Sequence, residues 1–163
     1  MPARSVAPGD ESIDALTDAL LTASRLLVAI SARSIAFVDE SITIPQFRTL
    51  VILSNEGPVN LSTLAGLLDV QPSTIGRMVE RLVSAGLIDR KPHPSSRREL
   101  TTGLTARGRQ VVQKVTARRR QEIAQVVGNM PARERDGLVR ALTAFTAAGG
   151  EPDWASDVDG PAL

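Results

Sequence analysis

Apolar residues recur at alternating spacings of three and four near the start of the chain, which is the period of an α-helix. The stripe runs from Ile13 to Phe37, about seven turns, and either Asp10 or Ser12 is placed to cap its start. A helix this long in a chain of 163 residues is either a core helix or a strut between two subunits. The pattern alone leaves both interpretations open.

Start and stop signals frame the next apolar segment. Thr43 and Gln46 have the spacing of a capping box, and Pro45 stands in the first turn, where a helix tolerates it. Gly57 can take the left-handed conformation that ends a helix, and the proline after it prevents continuation. We therefore predict a helix from about residue 44 to the glycine.

Two short helices follow and are predicted to form a helix-turn-helix. Asn60 can cap the first, and Pro72 opens the second after the tight turn of residues 69–71. Gly86 is expected to end the second helix. Its inward face consists of Ile75, Val79 and Leu82. Two short helices joined by such a turn are a known arrangement for binding DNA.

After the second helix the pattern changes to period two, which predicts a β-hairpin. Residues 87–91 form its first strand and residues 99–104 its second, while the Pro- and Ser-rich segment 92–98 forms the turn. This interpretation places Arg97 and Arg98 at the tip of a basic hairpin. Beyond it, Thr105 can cap a second long helix ending at residues 128–129, and Pro131 starts a last helix ending at the glycine pair 149–150.

Composition and charge narrow the class of protein. Only 2% of residues are aromatic, so the core is expected to be aliphatic, and the absence of Cys excludes disulfides and thiolate sites. The net charge is only +1, but residues 71–120 hold 12 basic and 3 acidic side chains. A basic block between acidic segments is typical of a surface that meets a polyanion, although a charge run can also be a solvated helix face.

The second helix of the helix-turn-helix is predicted to read DNA. Its N-terminal turn would present Gln71, Ser73, Thr74 and Arg77, whose donors and acceptors suit base edges and phosphates. The alternative is that the two hydroxyls only satisfy the helix end. Hydroxyls at the start of the preceding helix could bind phosphate in the same way.

The basic hairpin strengthens the interpretation, because a wing can place Arg in the adjacent minor groove. Arg107, Arg109 and Lys114 could also touch phosphates, whereas the run 118–120 is expected to face solvent or a second subunit. The candidate DNA contacts are Ser62, Thr63, Gln71, Ser73, Thr74, Arg77, Arg81, Arg90, Lys91, Arg97 and Arg98.

With these pieces in place, the chain resembles the MarR family of bacterial winged-helix regulators. The matching segments are residues 64–65, 71–75, 81–88, 97–98 and 104–108, and the order of helices extends the resemblance to residues 10–148. The resemblance implies a homodimer that binds a palindromic operator, usually near its own promoter, and that is often released by a small organic ligand or an oxidant. Without Cys, the thiol-sensing branch of the family is excluded.

Two features depart from the family pattern or weaken the wing. The family often has Asp two residues before the key Arg of the wing, whereas this chain has Ser96 before Arg98, so the carboxylate that would orient the guanidinium is missing. Gly103 is expected to weaken the second strand.

The predicted fold class is mainly α: a winged helix-turn-helix with a small β-hairpin wing and long N- and C-terminal dimerisation helices. The expected divisions are a flexible tail (1–9), a single winged-helix domain (10–150) and a flexible acidic tail (151–163) that contains Trp154. Within the domain, residues 10–42 and 105–148 are assigned to the dimerisation helices and residues 43–104 to the DNA-binding lobe.

The predicted function is that of a cytoplasmic, sequence-specific DNA-binding regulator, a ligand-responsive repressor acting on double-stranded DNA as a homodimer. The alternative is a winged-helix protein-interaction module that does not bind DNA. His93 is the only histidine, and no catalytic Ser motif or phosphate-binding loop is present, so no enzyme, metal site or cofactor is expected. The longest unbroken apolar runs, such as residues 26–30, look too short to span a membrane.

A small-molecule effector is a further candidate partner. Its pocket would lie where the dimerisation helices meet the DNA-binding lobe, which by sequence order is near Phe37, Phe47 and Arg48. Phenylalanine is more often a core residue than a pocket wall, so these positions carry no ligand assignment.

Overall fold

The structure, a computed structural model, describes residues 12–152. Its elements are α1 (Ile13–Val38), α2 (Ile44–Glu56), α3 (Leu61–Leu68), α4 (Pro72–Ser84), β1 (Ile88–His93), β2 (Ser96–Leu104), α5 (Ala106–Asn129), α6 (Ala132–Arg135) and α7 (Leu138–Ala148). The fold is mainly α with a two-stranded wing, as the sequence predicts. The tail expected at residues 1–9 lies outside the described residues, and so does the tail expected at residues 151–163, with Trp154, apart from Glu151 and Pro152.

Side-chain caps mark the starts of α1, α2, α3 and α5, and the predicted caps Ser12, Thr43, Asn60 and Thr105 are confirmed, while the alternative Asp10 lies outside the described residues. Ser12 Oγ accepts from the backbone N–H of Ala15 (3.1 Å) at the start of α1. The capping box of α2 is complete: the N–H of Thr43 donates to Gln46 Oε1 (2.9 Å) and the N–H of Gln46 donates to Thr43 Oγ1 (3.3 Å). These bonds satisfy N–H groups that would otherwise have no partner in the first turn.

An aliphatic core holds α2, α3 and α4 together with the base of the wing and the first half of α5. Its fully buried members are Leu50, Ile52, Leu53, Leu64, Ile75, Val79, Leu82, Leu87, Ile88 and Val115. Because the predicted apolar face of α4 is turned into this core, the opposite face of α4 points outward.

The wing differs from the prediction in the length of its turn. β1 and β2 pair antiparallel from Ile88 with Leu104 to His93 with Ser96, so the turn consists of residues 94–95 alone. Arg97 and Arg98 therefore lie on β2, near the tip but not at it. The sequence predicts a turn for all of residues 92–98 because the segment is rich in proline. Residues 92 and 93 nevertheless belong to β1, because β1 is an edge strand and an edge strand tolerates proline.

A third piece of extended chain anchors β2 on its other side. Val59 donates its N–H to the carbonyl of Thr102 (3.1 Å), and Thr102 returns a bond to the carbonyl of Val59 (2.7 Å). A β-carbon on Gly103 would lie 3.2 Å from Cγ of Pro58. The glycine expected to weaken the strand thus lets the connection before α3 pack closely against the wing.

The last predicted helix is in fact two helices. α6 ends at Arg135, Asp136 is extended, and Gly137 takes a φ of 78°, after which α7 begins. The apolar periodicity that starts at Leu138 belongs only to α7. None of the residues of α7 is buried.

α1 is mostly uncovered, which decides between the two interpretations of its length. Only Ile30, Ser34 and Ile35 are buried, while Phe37 is 71% exposed and Ile13 81%. α1 packs mainly on α5 through its C-terminal half. A long core helix is therefore wrong for this element, because most of its apolar stripe is exposed among the described residues.

By length and composition α1 could cross a membrane, since its best 18-residue window has a mean hydropathy of 1.5. The expectation that every apolar stretch is too short was wrong on this point. It considered only unbroken apolar runs, whereas alanines between the larger side chains keep the average high. One such helix near an N-terminus is weak support for a membrane span, because core helices of soluble proteins can be equally long and apolar.

Candidate nucleic-acid interface

The polar end of α4 is open to solvent. Pro72 occupies the first turn, and the Gln71 side chain makes no capping bond, so its amide is free to meet another molecule. Ser73, Thr74 and Arg77 are all exposed. The outward turn of α4 therefore carries an amide, two hydroxyls and a guanidinium, all of them able to hydrogen-bond to base edges.

Two cations extend this face toward the end of α4. Arg77 and Arg81 are one turn apart, so both lie on the exposed side of the helix. Neither takes part in an ion pair among residues 12–152. Their charge is therefore available to an external anion.

The start of α3 is tied to the wing through one side chain. Asn60 Oδ1 accepts from the N–H of Thr63 (2.8 Å), and Asn60 Nδ2 donates to Glu99 Oε1 (2.7 Å) on β2. Ser62 and Thr63 are exposed on the first turn of α3. These hydroxyls and the wing thus belong to one anchored unit.

The wing places its cations on both strands. Arg90, Lys91 and Arg98 are exposed, and Lys91 Nζ lies 3.0 Å from Asp89 Oδ2. An exposed pair of this kind contributes about 0–1 kcal/mol, so it is easily exchanged for a phosphate contact. Arg97 lies on β2, and the predicted contact of its side chain falls outside what the structure describes.

Two arginines expected to touch phosphates also make contacts within the protein. Arg107 Nη1 donates to the carbonyl of Ala85 (3.2 Å) and its Nη2 lies 3.8 Å from Asp39 Oδ2, while Arg109 donates to the carbonyl of Leu104 (3.0 Å). Sequence reasoning missed this role, because nothing local distinguishes an arginine that caps a carbonyl from one that meets solvent. Arg107 thereby joins the end of α4 to the α1–α2 connection.

The carboxyl of Asp39 is held in its charged form. Hydrogen bonds from the Ser41 hydroxyl and the Ser41 N–H lower the pKa of Asp39. Burial opposes them to a smaller extent, and the charge of Arg107 adds the smallest contribution, which also lowers the pKa. Asp39 follows the last turn of α1, so this charge sits at the junction between α1 and the lobe.

A groove of about 250 Å³ lies between α1, α2 and α5, at the predicted junction of lobe and dimerisation helices. It is lined by Ser31, Ile35, Ile44, Phe47, Arg48, Val51, Ile52, Arg119 and Glu151. Within the described residues Arg119 Nε has no hydrogen-bond partner, and burial lowers the pKa of this side chain. Phe47 is mainly a core residue, with only 4% of its surface exposed.

Phe37 lines a separate recess of about 460 Å³ with Val38, Lys114, Ala117 and Arg118. The Arg118 guanidinium stands 4.5 Å from the centre of the Phe37 ring, and its Nε lies 3.1 Å from Glu122 Oε1. This part of the run 118–120 thus makes contacts within the protomer.

In the described part of the chain, no group of three or more His, Cys, Asp or Glu could hold a metal ion.

Comparison with known proteins gives this geometry a family. The model of the MarR family matches residues 42–100, which span α2 to the wing. The crystal structure of RV1404 from Mycobacterium tuberculosis is 73% identical, with a TM-score of 0.81, over 90% of this chain and 99% of that one. The HTH-type transcriptional repressor Rv2887 of Mycobacterium tuberculosis is 30% identical over 67% of this chain and 78% of its own length.

A mutant of S. aureus MepR bound to an oligodeoxyribonucleotide shares the fold, with a TM-score of 0.60 and 19% identity over 85% of this chain and 99% of that one. The curated relatives are named as transcriptional regulators and repressors, not as enzymes. The chain therefore belongs to the MarR family of winged helix-turn-helix transcriptional regulators, which bind DNA.

Proposed function

We propose that the protein is a homodimeric, cytoplasmic repressor that reads a palindromic operator with α4 and grips the flanking minor groove with its wing. One observation carries this proposal: the exposed polar end of α4 and the cationic wing stand on one lobe. In this lobe α4 contacts β1, and the bonds of Asn60 and Val59 tie the start of α3 to β2. A reading helix beside a rigid basic hairpin suits a duplex, whose major and minor grooves adjoin.

Each candidate contact has a distinct chemical task. Gln71 can pair with adenine and Arg77 with guanine through two hydrogen bonds, while Ser73 and Thr74 can reach bases or phosphates. Arg98 is assigned to the minor groove, where negative potential favours arginine. The remaining candidates, Ser62, Thr63, Arg81, Arg90, Lys91 and Arg97, are assigned to phosphates, which set position rather than sequence.

The apolar surface left uncovered in the protomer supports a homodimer. Ile13, Leu16, Leu21, Leu26, Leu27 and Val28 on α1, Val126 on α5, and Val139, Leu142 and Phe145 on α7 are exposed by more than a third. Apolar patches this extensive mark interaction surfaces rather than free surface. A two-fold dimer would present two copies of α4, which is why the operator should be palindromic.

The groove between α1, α2 and α5 is proposed as the place where a small organic effector acts. It touches both the lobe and the helices assigned to the dimer. A ligand that binds one relative orientation of these parts better than the other would shift the operator affinity.

Operator binding can be tested by fluorescence anisotropy with DNA from upstream of the protein's own gene. We expect Arg77→Ala to weaken binding by about 1–3 kcal/mol and to relax specificity at one base pair. Arg120→Ala is the matched control, since Arg120 is exposed on α5 and is not among the proposed DNA contacts. Wild-type affinity should fall by roughly 10³–10⁵ between 50 and 200 mM salt if the dimer contacts about 6–10 phosphates.

Equal affinity for operator and scrambled DNA, with no effect of Arg77→Ala, would contradict the proposal. Salt-insensitive capture of a protein partner without DNA would then favour the interaction-module alternative.

A further inference from the structure

The tip of the wing is a tight turn whose first side chain folds back onto it. His93 pairs with Ser96 across the turn, and Pro94 stands at the second position, where its fixed φ suits a β-turn. The N–H of Ser95 donates to His93 Nδ1 (3.2 Å), and Ser95 Oγ lies 2.8 Å from the same nitrogen. Asn and Asp side chains hold turns by the same bond to the backbone two residues on. The imidazole of His93 is therefore fixed against the turn.

The bond from Ser95 decides which nitrogen of the ring carries the proton. A backbone N–H can only donate, so His93 Nδ1 accepts, and in the neutral ring the proton resides on Nε2. His93 is half-buried, but in the described part of the chain the buried side-chain atoms without a partner lie elsewhere, on Ser34 and Arg119. The tip of the wing thus offers a neutral N–H donor to a molecule that meets it.

An irregularity in β2 sets the cations of the wing apart from this donor. Pro92 pairs with Leu100. The next residue, His93, pairs with Ser96, so the three residues between Ser96 and Leu100 face no residue of β1. Bulges of this kind bend a strand and re-aim its side chains. Arg98 lies in the bulge and is exposed, so the charge of the wing and the neutral donor at its tip are separate features.

A neutral donor suits the minor groove of A·T base pairs. There A·T and T·A pairs present only acceptors, adenine N3 and thymine O2, whereas a G·C pair adds the amino donor on guanine N2. The N–H of His93 would meet an acceptor in the first case and another donor in the second. The charge of Arg98 instead follows the potential of the groove, which depends on its width over several base pairs.

We propose that His93 determines specificity at the wing: its Nε2–H, set by the bond from Ser95 to Nδ1, selects A·T over G·C at the flank of each half-site. This inference rests on the proposed function, since it needs the wing in the minor groove. It divides the work of the wing, because Arg98 supplies affinity and the tip supplies a base preference. The operator should carry an A·T pair where the tip meets it.

Purine analogues in the operator flank test whether the minor groove is read. Hypoxanthine paired with cytosine keeps the major-groove edge of G·C but lacks the amino group of guanine N2. Replacing the flanking A·T pair by G·C should weaken binding roughly 2- to 10-fold for each half-site, the worth of one hydrogen bond. The hypoxanthine·cytosine pair should bind as A·T does. Binding as weak as that of G·C would overturn the proposal.

Three variants assign this G·C penalty to the tip. His93→Asn keeps an acceptor for the Ser95 N–H, but its side chain is too short to carry a donor to the position of Nε2, so the penalty should vanish. Ser95→Ala removes the hydroxyl but keeps the N–H, and should retain the penalty. Arg98→Ala should weaken binding to all three operators alike and also retain it. A penalty that persists unchanged in His93→Asn would overturn the proposal.

The state of the ring can be followed without DNA, because His93 is the only histidine of the chain. Nitrogen-15 NMR of the neutral ring should show a proton on Nε2 and none on Nδ1, and a proton on Nδ1 would overturn the proposal. Failure of the wild type to prefer operator over scrambled DNA would overturn the proposed function, and this inference with it. Preference for the operator without any penalty at the flank would overturn this inference alone.

Discussion

The carbonyl oxygen of Leu87 lies so close above the α-carbon of Gly108 that a β-carbon at residue 108 would overlap with it. The same carbonyl accepts the N–H of Thr105 (3.1 Å), and Thr105 Oγ1 accepts the N–H of Gly108 (3.0 Å). The first turn of α5 is thereby clamped to the residue where the wing begins. Only glycine permits this approach, so the orientation of the wing depends on the residue at position 108.

Gly108→Ala should destabilise the fold by about 1–3 kcal/mol or more, because the carbonyl in its way is backbone and cannot rotate aside. Gly66→Ala is the matched control: it lies inside α3 with open space around it, and should stabilise by roughly 0.5–1 kcal/mol. Urea unfolding followed by circular dichroism measures both. Similar unfolding midpoints for the two variants would mean that the close approach has no energetic weight.

Asp39 makes the stability of the lobe junction depend on pH. Its pKa in the folded state is below the ordinary value of 3.8, with Ser41 as the main cause and Arg107 as a lesser one. The charged form therefore stabilises the fold above about pH 3.8, and this contribution is lost as the pH falls through the lower, folded-state pKa. Wild-type unfolding free energy should fall more steeply than that of Asp39→Asn between about pH 5 and pH 3.

The control for this titration keeps Asp39 and removes its cation. Arg107→Ala should retain most of the pH dependence, since the two hydrogen bonds from Ser41 remain. Parallel unfolding curves for the wild type and Asp39→Asn over this pH range would show that Asp39 does not titrate with folding.

Local signals are enough to predict most of the fold. The caps at Ser12, Thr43, Asn60 and Thr105 depend on hydrogen bonds between residues three apart, so the sequence contains both partners. The apolar residues of α4 recur with the helical period, which predicts the buried face of the helix. The polar residues on the opposite side are therefore predicted to be exposed. The residues proposed as contacts on α3 and α4 are accordingly exposed to solvent, and their contacts with DNA stay a prediction.

Contacts between residues far apart in the chain could not be predicted from the sequence. Nothing local indicates that Pro58 packs against Gly103, or that Arg107 reaches the carbonyl of Ala85 and the carboxylate of Asp39. The break at Gly137 escapes prediction for another reason: one glycine inside a helical pattern is tolerated often enough that it does not indicate an end.

The uncovered surface of α7 gives a test of the proposed dimer. Val139 is 80% exposed and Phe145 is 54% exposed, so an aspartate at either position should change the stability of the protomer little. In an apolar interface between two subunits, however, its carboxylate would be buried without a partner, which is strongly unfavourable. Val139→Asp and Phe145→Asp should sediment as monomers and lose operator affinity, whereas Leu100→Asp, at an apolar and exposed position on the wing, should remain a dimer. A dimeric Val139→Asp with full operator affinity would place the subunit contact elsewhere.

Base reading and phosphate binding can be separated within the lobe by comparing two cations. Arg77 lies on the exposed face of α4, whereas Lys91 lies on the wing beside Asp89. Across a set of operators with single base changes, Arg77→Ala should flatten the preference at one position in each half-site. Lys91→Ala should weaken binding to every sequence alike and lower the slope of log affinity against log salt by about 1 for each phosphate that is no longer neutralised. If both variants weaken all sequences uniformly, α4 contacts the backbone of the duplex and does not read its bases.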